Sequence, residues 1–303
     1  MQRPAWQAVI DIGTNTALLL LARPTASGGL EVAEDRATIT RLGEGVAQSG
    51  ELSSAAIERT VAALHSYRAA AEARGATIRA VTTEGVRLAR NPEAFLAPAA
   101  AALGVPVEVI SGDEEARLSY LSVAHETPGG GPLRVVDIGG ASTEVVVGEG
   151  TQVRAAVSHR IGSVRLTERF ITGDPPTPEA IAAIDAAARE ALASQPLAPQ
   201  PTLHGLAGTV TTAAALLLGL RAYDRARVDG SVHSRAALEG LRDRLAAQTL
   251  EERISPVLER KRADVIVAGV TILLAVMDQC GAQTLVVRDR GLRYALVDRG
   301  AQA

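Results

Sequence analysis

The chain carries one short design twice. Ala8-Val9-Ile10 runs into Asp11-Ile12-Gly13-Thr14-Asn15-Thr16 and then Ala17-Leu18-Leu19-Leu20-Leu21-Ala22; Val135-Val136 runs into Asp137-Ile138-Gly139-Gly140-Ala141-Ser142-Thr143-Glu144 and then Val145-Val146-Val147. In both, an apolar run, a polar glycine turn and a second apolar run predict two strands joined by a tight turn, with an acid at the tip. A repeated supersecondary unit implies a repeated lobe. At 303 residues the chain is also long enough for about two domains of ~150 residues each. Between the copies, His125-Glu126-Thr127-Pro128-Gly129-Gly130-Gly131-Pro132 is a turn-rich connector. The expected organisation is therefore a lobe over 1–124 and a second over 125–303, the last helix from Leu292 packing back on the first, with the two turns facing each other across an active-site cleft.

The remaining pattern predicts an α/β class. Strands are expected at Thr38–Leu42, Ile78–Thr82, Val107–Ile110, Leu203–Leu206 and Thr284–Val287. A helix capped by Ser53 or Ser54 carries Ile57, Val61 and Leu64 at helical spacing. Thr177-Pro178 opens an Ala-rich helix that the Pro196–Pro201 segment ends, and further helices are expected over Val210–Leu220, around Leu238, Leu241 and Leu245, and over Asp264–Gln279.

Composition removes several function classes. One Trp, four Tyr and two Phe are too few for a base-stacking platform, and a net charge of −3 without long runs of one sign gives no general basic surface, so nucleic-acid binding is not expected. Lys261 is the sole lysine, and nothing matches the glycine-lysine phosphate loop of Walker A nucleotidases. A single cysteine, Cys280, excludes an internal disulfide or a thiolate zinc cluster. The longest apolar stretch, Val265–Met277, is too short for a bilayer span, and Met1–Trp6 lacks a signal-peptide core, so a cytoplasmic protein with no membrane partner is expected.

The chemistry-bearing candidates cluster at the turns. Asp11 and Asp137 end apolar strands, where a carboxylate suits a hydrated Mg²⁺. Gly13, Gly139 and Gly140 let backbone N–H groups approach phosphate, and Thr14, Thr16, Ser142 and Thr143 add hydroxyls. The alternative, two ordinary Asp-Gly turns, weakens because both occur in register. In Ser111-Gly112-Asp113-Glu114-Glu115-Ala116-Arg117-Leu118, Ser111 and Glu114 have capping-box spacing, which leaves Glu115 as the candidate general base; a solvated first-turn acid is the competing reading. Arg87, expected on a loop at the carboxyl edge of the preceding strand, suits a phosphate, with an ordinary surface arginine as its alternative. Gly208-Thr209 is expected to present a helix N-terminus to an anion. The five histidines are scattered, and none has metal-ligand spacing.

Taken together these segments resemble the exopolyphosphatase and guanosine pentaphosphate phosphatase (Ppx/GppA) family, of the actin, sugar kinase and heat-shock-ATPase superfamily. The resemblance runs nearly end to end: Asp11–Thr16, Arg41-Leu42-Gly43, Thr83–Arg87 with Asn91, Ile110–Leu118, Asp137–Glu144, Gly162–Phe170 with Asp174-Pro175-Pro176, Arg262-Ala263-Asp264 and Asp289–Arg293. It implies a two-lobed, duplicated ribonuclease H-like fold and metal-dependent release of terminal orthophosphate from polyphosphate or from the 5′ end of guanosine pentaphosphate. By the same resemblance Glu115 activates water, Asp137 and Glu144 serve metal and water with Asp11, and Arg87 contacts phosphate. The turns Asp11, Gly13, Thr14, Asn15, Thr16 and Gly139, Gly140, Ala141, Ser142, Thr143, with Gly208 and Thr209, hold phosphates. It further implies Mg²⁺ or Mn²⁺ and a homodimer.

Where the family usually has a third glycine, this chain has Ala141, which needs a negative φ. Ala207-Gly208-Thr209-Val210 departs from a Gly-Gly-Thr turn, and Asp229-Gly230 stands where His-Gly is common. Thr14 and Thr16 replace serines and keep the hydroxyls. An end near residue 303 leaves out the helical extension of larger members, so shorter polymers are expected as substrates. Two other readings stay open: an ATP-dependent kinase or ATPase on the same fold, and a non-catalytic sensor of polyphosphate or guanosine tetraphosphate.

Overall fold

A computed structural model describes residues 4–25, 29–127, 129, 131–195 and 198–300. Pro128 and Gly130 of the connector, and Pro196 and Leu197 of the helix-ending segment, lie outside the described residues, as do Met1–Arg3. The chain divides into two compact units, one of Met1–Leu118 with Leu292–Ala303 and the other of Ser119–Gly291. The division falls within a helix, Gly112–Ala124, rather than in the turn-rich connector a few residues beyond.

The first unit contains β1 (Gln7–Ile12), β2 (Thr16–Pro24), β3 (Leu30–Ile39), α1 (Val46–Ser49), α2 (Ser54–Glu72), β4 (Thr77–Thr82), α3 (Glu84–Arg87), α4 (Glu93–Leu103), β5 (Val107–Val109) and the start of α5 (Gly112–Ala124). Its sheet runs β3-β2-β1-β4-β5, antiparallel through the first three strands and parallel from β1 to β4 and β5. The expected hairpin is β1–β2. The expected Thr38–Leu42 strand is corrected to β3, which begins at Leu30 and ends at Ile39. It is an edge strand in which the consecutive charged residues Glu34, Asp35 and Arg36 interrupt the sequence, so it lacks the apolar run that betrays a buried strand. Arg41, at φ 52°, lies in the left-handed region and cannot continue it. Ser53 caps α2 by accepting from the Ala56 amide at 3.3 Å.

The second unit contains the rest of α5, β6 (Pro132–Ile138), β7 (Thr143–Glu149), β8 (Gln152–His159), α6 (Ser163–Phe170), α7 (Pro178–Leu192), β9 (Thr202–Leu206), α8 (Ala207–Leu217), α9 (Arg225–Val228), β10 (Val232–Ser234), α10 (Arg235–Ala246), α11 (Leu250–Arg253), α12 (Arg260–Ala263), α13 (Ile266–Gln279) and β11 (Thr284–Val287). Its sheet runs β8-β7-β6-β9-β11-β10. Three antiparallel strands followed by parallel β9 and β11 repeat the order of the first sheet, with β10 added antiparallel at the edge, so the duplication read from the turns extends to the topology. Thr177 caps α7 and Pro178 takes its first position. The helix expected over Val210–Leu220 begins earlier, at Ala207. Ala207 itself has φ 71°, so the chain swings directly from β9 into the helix and Gly208-Thr209 form its first turn rather than precede it. Helix α13 is buried almost all round and is the centre of the second core, as an all-apolar sequence requires. Among the described residues no helix is long and apolar enough to cross a membrane.

The last helix, α14 (Leu292–Gly300), belongs to the first unit, where it packs against β1 and β2. Asp35 on β3 fastens it: Arg293 Nη2 donates to Oδ1 at 2.9 Å and the Tyr294 hydroxyl to Oδ2 at 2.7 Å. Because the Arg293 side chain is buried, removing its acceptor strands a charge away from water. Asp35→Ala should destabilise the first unit by about 2–4 kcal/mol, read as a lowered urea midpoint.

In the second unit His204 on β9 is pushed down to about 4 by burial, with the Arg288 charge adding to it, and its Nδ1 has no hydrogen-bond partner. The native state therefore holds His204 neutral while the unfolded chain protonates it near 6.5, so its contribution is complete above pH 6.5 and falls as pH drops toward 4. Thermal midpoints should decline between pH 7 and pH 4.5, and His204→Gln should flatten that decline.

Candidate functional site

In the first unit the β1–β2 turn is closed by the Gly13 amide donating to the Thr16 carbonyl at 3.0 Å. The segment after β3 grips it from one side. The Thr14 carbonyl accepts from Gly43 N at 2.9 Å, and the Asn15 carbonyl from Thr40 N and Arg41 N at 3.1 and 2.9 Å. Because each peptide group is planar and trans, a carbonyl aimed at this segment aims the next amide the other way, which turns the Asn15 and Thr16 N–H bonds outward from it. Thr14 is wedged between two glycines. A Cβ at Gly43 would stand 2.3 Å from Thr14 Cγ2, and one at Gly85 would stand 2.6 Å from Thr14 Oγ1. Asp11, at the end of β1, is buried and paired in register with Val81 of β4.

Arg87 is corrected from a loop to the last residue of α3, the single turn that directly follows Thr83. Its guanidinium is a hub. Nη2 contacts Glu84 Oε2 at 2.6 Å, and Nη1 donates to the Ile110 carbonyl at 2.5 Å and lies 3.4 Å from Glu115 Oε2. Glu115 sits on the first turn of α5, 8% exposed, and Glu84 is 6% exposed. Ser111 accepts from the Glu114 amide at 3.1 Å, while the Glu114 carboxylate holds Arg117 at 3.0 Å. The structural work at this helix start thus falls to Ser111 and Glu114, and Glu115 is turned inward to the arginine.

The β6–β7 turn of the second unit repeats the first closure: Gly139 N donates to the Ser142 carbonyl at 3.0 Å. Here α6 does the gripping. The Gly139 carbonyl accepts from Ser163 N at 2.9 Å, and the Gly140 carbonyl from Val164 N and Arg165 N at 2.9 and 3.0 Å. The amides of Gly140 and Ala141 consequently point away from α6, an arrangement suited to an anion. Among the described non-glycine residues only Arg41 and Ala207 have positive φ, so Ala141 meets the condition its methyl sets. Thr143 is fully buried and gives its hydroxyl proton to the Ile161 carbonyl at 2.7 Å.

Asp137 and Glu144 are direct cross-strand partners, and Ser158 of β8 continues the row opposite Glu144. Ser119 Oγ donates to Asp137 Oδ2 at 2.7 Å and Ser158 Oγ to Glu144 Oε1 at 2.6 Å. Like charges set directly opposite on a sheet repel. Two carboxylates fixed side by side by serine hydroxyls are hard oxygen donors, and this row fits a hydrated divalent cation that takes one or two carboxylates and keeps several waters. Among the described residues no group of three or more His, Cys, Asp or Glu could hold a metal.

Gly208 and Thr209 lie at the start of α8. The Arg262 guanidinium lies against Gly208, where a Cβ would stand 3.2 Å from Cζ, and donates to Thr212 Oγ1 at 3.1 Å. Burial lowers the pKa of this guanidinium, with Glu259 opposing. Sequence reasoning gave no role to Glu84, Ser119, Ser158 or Arg262, although Arg262 stood in a motif of the family resemblance. Two carried a usable signal: Glu84 is i−3 to Arg87, and Ser119 is i+4 to Glu115 on one helix.

With the geometry in place, the comparisons give the family. The Ppx/GppA phosphatase family matches residues 22–302. Exopolyphosphatase 2 of Mycobacterium tuberculosis (strain ATCC 25618 / H37Rv) is 39% identical over 282 residues, 88% of each chain. The crystal structure of the Aquifex aeolicus Ppx/GppA family member superposes with a TM-score of 0.83 at 35% identity over 98% of each chain. That of an exopolyphosphatase from Cytophaga hutchinsonii shares the fold, with a TM-score of 0.88 at 23% identity over 97% of this chain and 98% of that one. The fold is therefore the duplicated α/β fold of the actin, sugar kinase and heat-shock-ATPase class. The chain belongs to the Ppx/GppA phosphatase family, a family of enzymes.

Gly162 is the least replaceable residue around the second turn, because a Cβ there would lie 2.4 Å from both the carbonyl carbon and oxygen of Gly140. That contact is with backbone and cannot be relieved by a rotamer change. Gly162→Ala should cost about 1–3 kcal/mol in thermal unfolding and push the turn out of place.

Proposed function

We propose that this protein is an exopolyphosphatase, a metal-dependent phosphohydrolase that releases orthophosphate from the end of inorganic polyphosphate, and that guanosine pentaphosphate, whose 5′ end presents the same terminal phosphoanhydride, is a second substrate. The observation that carries this reading is the pairing of Asp137 with Glu144 beside a turn whose Gly140 and Ala141 amides point away from α6. The 39% identity to a protein named exopolyphosphatase gives it a substrate.

In this reading the turn amides, with the Thr14, Thr16 and Ser142 hydroxyls, bind terminal phosphate oxygens, and Gly208 and Thr209 belong to the same binding role. Glu115 takes the proton from the attacking water as its oxygen bonds to the terminal phosphorus. The bridging P–O bond breaks, and the shortened chain leaves as a phosphate anion. Arg87 holds Glu115 in place and adds positive charge next to the phosphates. Asp137 and Glu144, with Asp11, would hold Mg²⁺ or Mn²⁺, which when bound neutralises phosphate charge and polarises the phosphoryl group. Ser119 and Ser158 fix the two second-unit carboxylates for that task. The proposal carries with it a cytoplasmic homodimer.

The purified protein with Mg²⁺ should release orthophosphate from polyphosphates of several lengths and from guanosine pentaphosphate. Glu115→Gln should lower kcat by about 10²–10⁴-fold. Full activity in that variant would remove Glu115 from the role, and binding without release from any substrate would replace the hydrolase with a sensor.

A further inference from the structure

We propose that Glu84 is a positioning residue for Glu115, acting through Arg87, and this rests on the reading of Glu115 as the base. Glu84 and Glu115 are both buried carboxylates, and they share one guanidinium. The sharing is unequal. The Glu84 contact is 2.6 Å, the length of a charge-assisted hydrogen bond, whereas the Glu115 contact is 3.4 Å, at the outer limit of one. The nitrogen facing Glu115 is itself held by the Ile110 carbonyl at 2.5 Å.

Glu84 therefore draws Arg87 back along the α3 turn. Glu115 is oriented by the guanidinium but not closed onto it. A carboxylate locked bidentately to arginine would be a poor proton acceptor, because the lone pairs needed for the water would be committed to N–H donors. Burying two carboxylates against one cation is otherwise costly, and that cost has a purpose if the second carboxylate keeps the first available.

Glu84→Gln retains the size and one acceptor while removing the charge. In that variant Arg87 should swing to Glu115, closing the 3.4 Å gap to about 2.8 Å in a crystal structure. This readout does not depend on any activity. A gap that stays open in the variant structure overturns the proposal. In orthophosphate release from polyphosphate, Glu84→Gln should lower kcat by about 10- to 100-fold with KM unchanged or lower, since a negative charge has been removed. A rise in KM at constant kcat would mean that Glu84 acts on substrate binding and would also overturn it.

In the Arg87→Ala background Glu84→Gln should have no further effect on kcat, since its route is gone. An equal loss in both backgrounds would show a route that bypasses Arg87. Thermal midpoints of the variants identify any that fail to fold, and Glu84→Ala then serves as the second test of the same gap. If the wild-type protein releases phosphate and Glu115→Gln abolishes release while Glu84→Gln leaves kcat intact, the hydrolase reading stands and only the role of Glu84 falls.

Discussion

Each unit depends on one hydrogen bond. The amide of the glycine after the Asp-Ile pair donates to a carbonyl three residues on, Gly13 to Thr16 and Gly139 to Ser142, both at 3.0 Å. This closure brings the second strand back beside the first. In the first unit the Thr14 and Asn15 carbonyls are then gripped from one side, in the second the Gly139 and Gly140 carbonyls, one position earlier, and each peptide plane sends the next amide the other way. Something must then satisfy the carbonyls, since buried backbone acceptors are seldom left unmade. The first unit uses the Thr40–Gly43 segment and the second uses the N-terminus of α6. The same turn is thus supported by a left-handed loop in one case and by a helix in the other.

That difference in support goes with a difference in chemistry. In the second unit the turn stands next to a row of two carboxylates and a serine crossing three strands, with each carboxylate fastened by one hydroxyl. In the first unit the residue facing Asp11 across the parallel pair is Val81, and the carboxylates gather instead on α3 and α5 around Arg87. One duplicated frame therefore carries an oxygen-donor row in one copy and a shared-arginine cluster in the other. Both fit demands of phosphoryl transfer, in which charge neutralisation and positioning dominate.

The turns, the hairpins and most strands could be read from the sequence because their physics is local: a glycine where the chain reverses, apolar runs on either side, a capping Ser or Thr before a helix. The β3 edge strand could not, since a strand with one neighbour and three consecutive charged residues in its middle has no apolar run to show. The start of α8 was placed three residues late because Ala207 adopts a left-handed φ that sequence favours only for glycine. At the candidate site, Glu115 could be singled out because Ser111 and Glu114 already accounted for the helix start. Glu84 had only its i−3 spacing to Arg87 to mark it, because its role exists through Arg87 and the burial of the pair is known only once the chain is folded. Ser119 had only its i+4 spacing to Glu115 to mark it, and Ser158 was hidden, as a serine is informative only once the carboxylate it holds is known.

Arginine is nearly the only basic residue in the chain, and its placement bears on how a polyanion could be bound. Arg87 is committed to two carboxylates and a carbonyl, Arg293 to Asp35, Arg253 to the carbonyls of Leu245 and Gln248, and Arg262 to Thr212 beside Gly208. These forks bind the protein to itself, which is what a planar guanidinium with five donors does well in a buried setting. With a net charge of −3 the chain offers a polyphosphate no overall positive charge, and these four arginines are engaged internally. In the function proposed above, turn amides and a divalent cation at the Asp137–Glu144 row would hold phosphate oxygens over a few ångströms without adding a single side-chain charge. Groups that act over so short a range would select the end of a chain over charge in general, which is the selectivity that the proposed release of terminal phosphate requires.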